Sequence, residues 1–164
     1  MEAREFTITR RNGDVYTVIV DACDYDRVMA AGPWYISPPN KKRRTAYARR
    51  SSTSTRAGEY LHRFIIGAPA GAEADHVSGN GLDCRRGNLR VCTRSENERN
   101  KGVRSDNTSG FKGVHLDRRL GRWQAQITLF GRTRSIGMFA TPEAAHEAYK
   151  AAAAQLHGEF ARAA

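Results

Sequence analysis

The chain has 164 residues, room for one ordinary domain or two small ones. Lys and Arg number 27 against 17 Asp and Glu, giving a net charge of +10 and a pI near 10.1. That excess favours a polyanionic partner, because each cation set against a phosphate releases condensed counterions. It argues against membrane-spanning and disulfide-framework classes as well: no apolar run approaches bilayer length, and the cysteines are three, Cys23, Cys84 and Cys92, with no Cys-x-x-Cys pair for a structural zinc.

The segment Met1 to Asp14 mixes Glu2, Arg4, Glu5, Arg10 and Arg11 without an apolar core, so no signal peptide is read there. The expected location is a reducing cytoplasm. Charge is uneven. Residues 1–50 carry +4, residues 51–100 carry +1 and residues 101–164 carry +5, a balanced centre between two basic flanks.

In chain order, Phe6 to Thr9 alternates, Asn12-Gly13 supplies a turn and Val15 to Val20 is a β-branched run, which predicts a hairpin. Asp24 to Ala31 predicts a short helix stopped by Gly32-Pro33. Trp34 to Ile36 and Thr45 to Ala48 predict two short strands. The basic loop Pro38 to Arg44 joins them, equally a solvated turn or a phosphate contact. After the polar stretch Ser51 to Thr55, the spacing of Leu61, Phe64 and Ile65 predicts a helix over Glu59 to Ile66, ended by Gly67 to Gly71.

Asp75-His76 then closes a short strand, and a Gly-rich turn leads to a return strand from Asn88 to Val91. Thr93-x-x-Glu96 is a capping box, so a helix starts there and carries Asn97 on its first turns. The product is a β-hairpin and a helix, with His76, Asn88 and Asn97 brought together. Residues 102–110 predict a linker. Three alternating segments follow, Phe111 to Leu116, Arg122 to Phe130 and Arg132 to Phe139. In the second, Trp123, Ala125, Ile127 and Leu129 share one face and Gln124, Gln126 and Thr128 the other. Thr141, Pro142 and Glu143 open a helix whose face of Ala144, Ala145, Ala148, Tyr149 and Ala152 is small enough to lie close on a sheet; Gly158 ends it.

The residue types of the central stretch suit hydrolysis of a phosphodiester. A histidine has the unperturbed pKa nearest neutrality for taking a proton from water. A carboxylate and an amide carbonyl are hard oxygen donors for Mg²⁺ or Mn²⁺, a cation able to stabilise charge on the phosphorane and the leaving oxygen.

This stretch resembles the HNH endonucleases, in particular the phage and homing types with a ββα-metal core. The resemblance lies in Asp75-His76, the twelve-residue step to Asn88 and the nine-residue step to Asn97. It implies His76 as general base, Asp75 and Asn97 as ligands of one Mg²⁺ or Mn²⁺ ion, and Asn88 as the residue holding the loop that orients His76. Tyr60-Leu61-His62-Arg63 looks like the segment leading into the motif in phage members. His62 and Asn100 are possible supporting residues behind the first contacts. The chain departs from many relatives at Cys84, where Asn is frequent, and at Asn97, where other subfamilies have His.

The C-terminal part resembles an AP2 DNA-binding domain over roughly residues 109–160. The resemblance lies in Phe111-Lys112-Gly113-Val114, Trp123 to Ile127, Ile136 to Phe139 and the alanine-tyrosine helix. It implies a sheet laid in the major groove. The DNA-binding residues are then Lys112, His115, Gln124 and Gln126 on the outer face, with Arg118, Arg119, Arg122, Arg132 and Arg134 near the turns. Plant AP2 domains commonly have Arg at the position of His115 and Trp at that of Ser135, so base preference does not transfer.

The expected fold class is α+β: a ββα-metal nuclease core with a β-rich N-terminal part, plus a small three-stranded antiparallel sheet and helix. The expected segments are 1–58 (N-terminal, β-rich), 59–101 (nuclease core), 102–110 (linker) and 111–160 (AP2-like). The expected activity is metal-dependent cleavage of double-stranded DNA by a monomer without an obligate protein partner or a membrane. The alternative is a non-catalytic DNA-binding regulator with a degenerate nuclease motif.

Overall fold

A computed structural model describes residues 2–40, 45–103, 107–129, 131–158 and 161. Lys41 to Arg44 of the basic loop, three residues of the expected linker (104–106) and Phe130 lie outside these. The chain forms two compact units, Met1–Thr93 and Arg94–Ala164.

In the first unit β1 (Ala3–Thr9) and β2 (Val15–Asp21) make the expected hairpin, in antiparallel register from Ala3 opposite Asp21 to Thr9 opposite Val15. Helix α1 (Ala22–Ala30) starts two residues earlier than expected. Asp21 occupies its N-cap position without capping it, because its carboxylate accepts from the Arg86 amide at 2.8 Å. Strands β3 (Tyr35–Ser37) and β4 (Tyr47–Arg50) lie one to two residues beyond the expected positions. Trp34 is drawn out of its strand into the core, where its indole Nε1 donates to Val28 O at 2.7 Å.

Glu59 and Tyr60, expected to open a helix, form strand β5 (Glu59–Tyr60) against β4, and Arg50 pairs with Glu59 at 2.7 Å. Only Leu61–Ile66 is helical, as α2, and it stops at Gly67 in the left-handed region, φ 61. Strands β6 (Glu73–His76) and β7 (Leu89–Cys92) pair antiparallel. A 3-10 turn over Arg86–Asn88 precedes β7, so Asn88 is the last residue of the turn and not the first of the strand.

These elements share one core of Val18, Val20, Val28, Trp34, Ala48, Leu61, Ile65, Cys84 and Leu89. Leu61 and Ile65 are fully buried, and a fully buried aliphatic side chain contributes roughly 1.5–3 kcal/mol. Residues 1–58 and the hairpin of the expected 59–101 segment are therefore packed as one body. Backbone pairing joins them too. Ile19 N donates to Leu82 O at 2.9 Å and Cys84 N to Ile19 O at 2.8 Å, a parallel bridge between Ile19 and Asp83.

The second unit contains α3 (Arg94–Asn100), a three-stranded antiparallel sheet in the order β10-β9-β8, and α4 (Pro142–His157). The strands are β8 (Val114–Asp117), β9 (Arg122–Leu129) and β10 (Arg132–Phe139). Thr141 caps α4 as expected, its hydroxyl accepting from Ala144 N at 3.2 Å. The buried face of α4 runs through Ala145, Tyr149 and Ala153, against Ala125, Ile127 and Val114 of the sheet. Ala144, expected on that face, is exposed, and Ala153 takes a place the expectation omitted. Among the described residues no helix is long and apolar enough to cross a membrane. All three cysteines are free thiols, Cys23 exposed and the other two buried.

Strand β8 begins at Val114, not Phe111, because Gly113 makes a tight turn ahead of it with φ 71. A Cβ on Gly113 would lie 2.4 Å from the Tyr149 ring and 2.6 Å from Gln126 O. Gly113→Ala is expected to destabilise the second unit by about 1–3 kcal/mol through this overpacking. A lowered midpoint in urea unfolding followed by tryptophan fluorescence (Trp123 is in this unit) checks it.

Candidate active site

Asp75 and His76 end β6, where pairing with Arg90 and Leu89 of β7 fixes both backbones. Both side chains are nearly withdrawn from water, the residues being 7% and 4% exposed. The carboxylate of Asp75 is gripped across the hairpin by Arg90, whose Nε and NH2 reach the same oxygen, Oδ2, at 3.0 and 2.8 Å. The register of two antiparallel strands placed this pair, and the motif alone did not announce Arg90.

Beyond His76 the chain turns sharply, Gly79 N donating to His76 O at 2.8 Å. Asn88 closes the loop that follows. Its Oδ1 accepts from Ser78 N at 2.9 Å, its Nδ2 donates to Asp83 O at 2.7 Å and its backbone O accepts from Val77 N at 2.8 Å. One side chain thus ties both ends of the Gly-rich loop. Gly81 in that loop takes a bond from its own amide to Thr45 Oγ1 at 2.9 Å, and a Cβ there would come within 2.3 Å of Ala46 O.

The imidazole of His76 packs in an aromatic cluster. The ring of His62 meets it edge-on at 4.7 Å between centroids, and Tyr47 lies 5.6 Å away. Tyr60 stacks on His62 at 5.5 Å. Cys84 Sγ is 3.9 Å from His76 Nε2 and a similar distance from Gly81 O. Tyr47 was not anticipated from the sequence; its β4 strand is brought to the histidines by the shared core. His62 is buried, and its Nδ1 has no hydrogen-bond partner among the described residues.

Burial sets the protonation states here. It pushes His62 down to about 3, with the charges of His76 and Arg63 adding to the effect. It takes His76 down to about 4 against the pull of the Asp75 and Asp83 carboxylates. The Cys84 thiol is pushed up to about 12, so it stays protonated. His76 is therefore neutral at pH 7 and carries a lone pair able to accept a proton.

Asn97 lies on α3 and belongs to the second unit, as does Asn100, which is buried. In that unit Lys112 does not stand on the outer face. Its ammonium bonds the carbonyls of Arg99 and, at 2.6 Å, Lys101, at the C-terminal end of α3. The outer face of the sheet aligns His115 opposite Gln124, Gln126 opposite Ser135 and Thr128 opposite Thr133. Gln124 Nε2 donates to Ser135 Oγ at 3.1 Å, and the two threonine hydroxyls are 2.9 Å apart. Arg118 and Arg119 are exposed in the β8–β9 turn and Arg122 at the start of β9. Arg132 and Arg134 are exposed too, but they register with Leu129 and Ile127, and so share the side of the sheet that faces α4. Among the described residues no group of three or more His, Cys, Asp or Glu side chains is arranged to hold a metal ion.

The low histidine values carry a stability prediction. An unfolded His takes its proton at its ordinary value of 6.5, while folded His62 refuses it until about 3. Between these values the unfolded chain binds the extra proton, so stability is full above pH 6.5 and falls as pH drops. Near the steepest point the loss is about 1.4 kcal/mol per pH unit for each such histidine. The urea midpoint of the first unit is expected to fall from pH 7 to pH 5, and His62→Phe to reduce that slope by roughly half. A flat profile in the parent protein would contradict it.

Residues 60–99 match the family model described as HNH endonuclease. The chain is 32% identical over 94 residues to Protein 3.8 of Escherichia phage T7, a match that covers 57% of this chain and 77% of that protein. It is 32% identical over 107 residues to an uncharacterized HNH endonuclease, L560, of Acanthamoeba polyphaga mimivirus, which covers 62% of this chain and 54% of the mimivirus protein. No solved structure matches. The matched segment, spanning β5 to α3, is an HNH endonuclease domain at residues 60–99, and the mimivirus protein is a distant HNH endonuclease homologue of the chain.

Proposed function

We propose that this protein is a divalent-metal-dependent endonuclease of the phage and homing type that hydrolyses a phosphodiester bond in double-stranded DNA, with the C-terminal unit acting as an AP2-like reader of the site. The observation that carries this reading is the neutral, buried His76 beside the Arg90-held carboxylate of Asp75, on a loop closed by Asn88, all within the residues that match the HNH family.

Asp75 is proposed as a ligand of one Mg²⁺ or Mn²⁺ ion, and the resemblance to the HNH motif implies Asn97 as a second. The donor set fits such an ion: a carboxylate and an amide are hard oxygen ligands, and few protein ligands leave positions for phosphate and water. The Asp75 carboxylate suits the task because Arg90 fixes it through Oδ2 and burial lowers the competition from bulk water. When bound, the ion would supply charge stabilisation at the scissile phosphate and the leaving oxygen.

His76 then serves as general base. Its imidazole accepts a proton from a water whose oxygen attacks phosphorus; the bond to the 3′-oxygen breaks, and that oxygen takes a proton from solvent. Asn88 acts without touching substrate, by fixing the loop behind His76. Tyr47 and His62 hold the imidazole plane from its sides. The enzyme works as a monomer with one active site and so nicks one strand.

The reader reading rests on the outer face of the sheet. His115, Gln124 and Gln126 present hydrogen-bonding groups there, as amides and imidazoles do in groove readout, and Arg118, Arg119 and Arg122 meet passing phosphates. Arg132 and Arg134, on the other side, would contact phosphate where the duplex edge passes them. Lys112, spent on the carbonyls of α3, is proposed as a brace for the reader and not as a base contact.

Supercoiled plasmid incubated with the protein and Mg²⁺ or Mn²⁺ is expected to relax, and EDTA to block the relaxation; intact plasmid retarded on a gel would favour the non-catalytic regulator. His76→Ala is expected to slow cutting by about 10²–10⁴-fold, the usual worth of a general base, with the gel-shift Kd little changed. Loss of DNA binding by this variant would count against the base role. Gln126→Ala is expected to broaden the set of sites cut, each lost base contact weakening discrimination by about 1–3 kcal/mol. Deep sequencing of cut ends reads the change; an unchanged set would sink the assignment.

A further inference from the structure

The HNH match begins at Tyr60, yet the turn that supports its loop is gripped by residues from the first helix of the chain. Asp24 on α1 is 3% exposed. Its Oδ2 accepts from Arg86 Nε at 2.6 Å and its Oδ1 from Arg86 NH2 at 2.8 Å, a two-pronged fork. Arg27 NH2 adds a third bond to Oδ1 at 2.7 Å. Three residues before Asp24, Asp21 Oδ2 accepts from the Arg86 backbone amide at 2.8 Å. Both the side chain and the main chain of Arg86 are therefore held by carboxylates at the start of α1.

Arg86 opens the 3-10 turn whose last residue is Asn88. Within that turn Asn88 N donates to Arg85 O at 2.9 Å, and Arg85 in turn forks onto Asp83 at 2.8 and 2.6 Å. The turn is thus rigid in itself but needs an external anchor to fix its place, and α1 supplies it. Downstream, Asn88 is the residue that closes the loop after His76. The physical chain runs from α1 through one guanidinium to the turn, from the turn to Asn88, and from Asn88 to the backbone of Val77 and Ser78.

We propose that Asp24 is a positioning residue for the nuclease chemistry: through the Arg86 guanidinium it sets where Asn88, and with it the loop following His76, is held. This rests on the nuclease reading above. The Arg86 hydrogen bonds hold the Asp24 carboxyl below the usual carboxylate range, so the fork stays charged on both sides in any neutral assay. The guanidinium is 44% exposed on its side chain, and a planar fork of this kind defines direction more than it adds global stability. A group that sets direction shows its loss in turnover, since small displacements of catalytic groups are costly.

Two variants of the full chain test this. Asp24→Asn keeps the shape and removes the charge; Arg86→Lys keeps the charge and removes the fork. In plasmid nicking each is expected to lower kcat by about tenfold or more while KM for DNA moves by less than about twofold. Hydrogen exchange of the Ser78 amide, bonded to Asn88 Oδ1, is expected to quicken by about tenfold or more in both, ahead of amides in β1 and β2. Variants that are folded, cut at the parent kcat and keep the parent Ser78 exchange overturn the proposal. So does a loss of cutting that only tracks the unfolded fraction, with Ser78 and β2 amides exchanging alike. If Asp24→Asn does not fold, Arg86→Lys decides. If the parent protein leaves plasmid intact, the nuclease reading fails by itself, and Ser78 exchange still accepts or rejects the positioning role.

Discussion

A side-chain amide can satisfy a donor and an acceptor at once, and Asn88 uses this to bridge two stretches of backbone that face each other across the Gly-rich loop. The loop residues Ser78, Asn80 and Gly81 would otherwise leave polar main-chain groups with little regular structure to pair them. Ser78 Oγ and Asn80 Oδ1 settle the amides of Asn80 and Leu82, and Thr45 Oγ1 settles Gly81. The imidazole of His76 keeps its orientation because this frame is closed behind it and a ring of aromatic side chains closes its flanks. Removing water from such a site strengthens its fixed dipoles and makes any misplaced polar group expensive.

Much of this was legible in the sequence where short-range rules govern. The Asn-Gly hairpin, the Thr141-Pro142 helix start and the alternating face of Trp123 to Leu129 each follow from local chemistry, and each formed as read. The Asp75-His76 spacing to Asn88 located the hairpin that carries the candidate site. What was not legible depended on distant partners. Glu59 and Tyr60 have helical company in sequence but pair with β4 because Arg50 offers Glu59 a cation and a strand edge. Asp21 is a good N-cap by type and does not cap, since the Arg86 amide, 65 residues away, takes its carboxylate. Lys112 reads as an outer-face DNA contact beside His115 and Gln124, whereas a nearby helix end offers it carbonyl oxygens.

The sheet of the second unit shows how register refines a list of basic residues. Five arginines near its turns carry the same charge and the same exposure class, and only the pairing of β9 with β10 separates Arg132 and Arg134 from the polar outer face. The irregular step between Ser135 and Gly137 shifts the alternation by one residue, so that Phe139 as well as Ile136 packs on the core beneath α4. Polar side chains on the outer face already bond one another, Gln124 with Ser135 and Thr128 with Thr133. Groups held in this way lose little conformational freedom when a ligand takes over the bonds.

The division of the chain after Thr93 has a consequence for anyone who would move this activity to another protein. The segment with family likeness, 60–99, runs across that division, so homology and cooperativity draw different outlines. Excised alone, the segment would carry a hairpin stripped of the valines and tryptophan it packs on, and a seven-residue helix cut off from the lysine that satisfies its last carbonyls. The heritable motif is smaller than the portable one: a graft would have to travel with its scaffold on both sides.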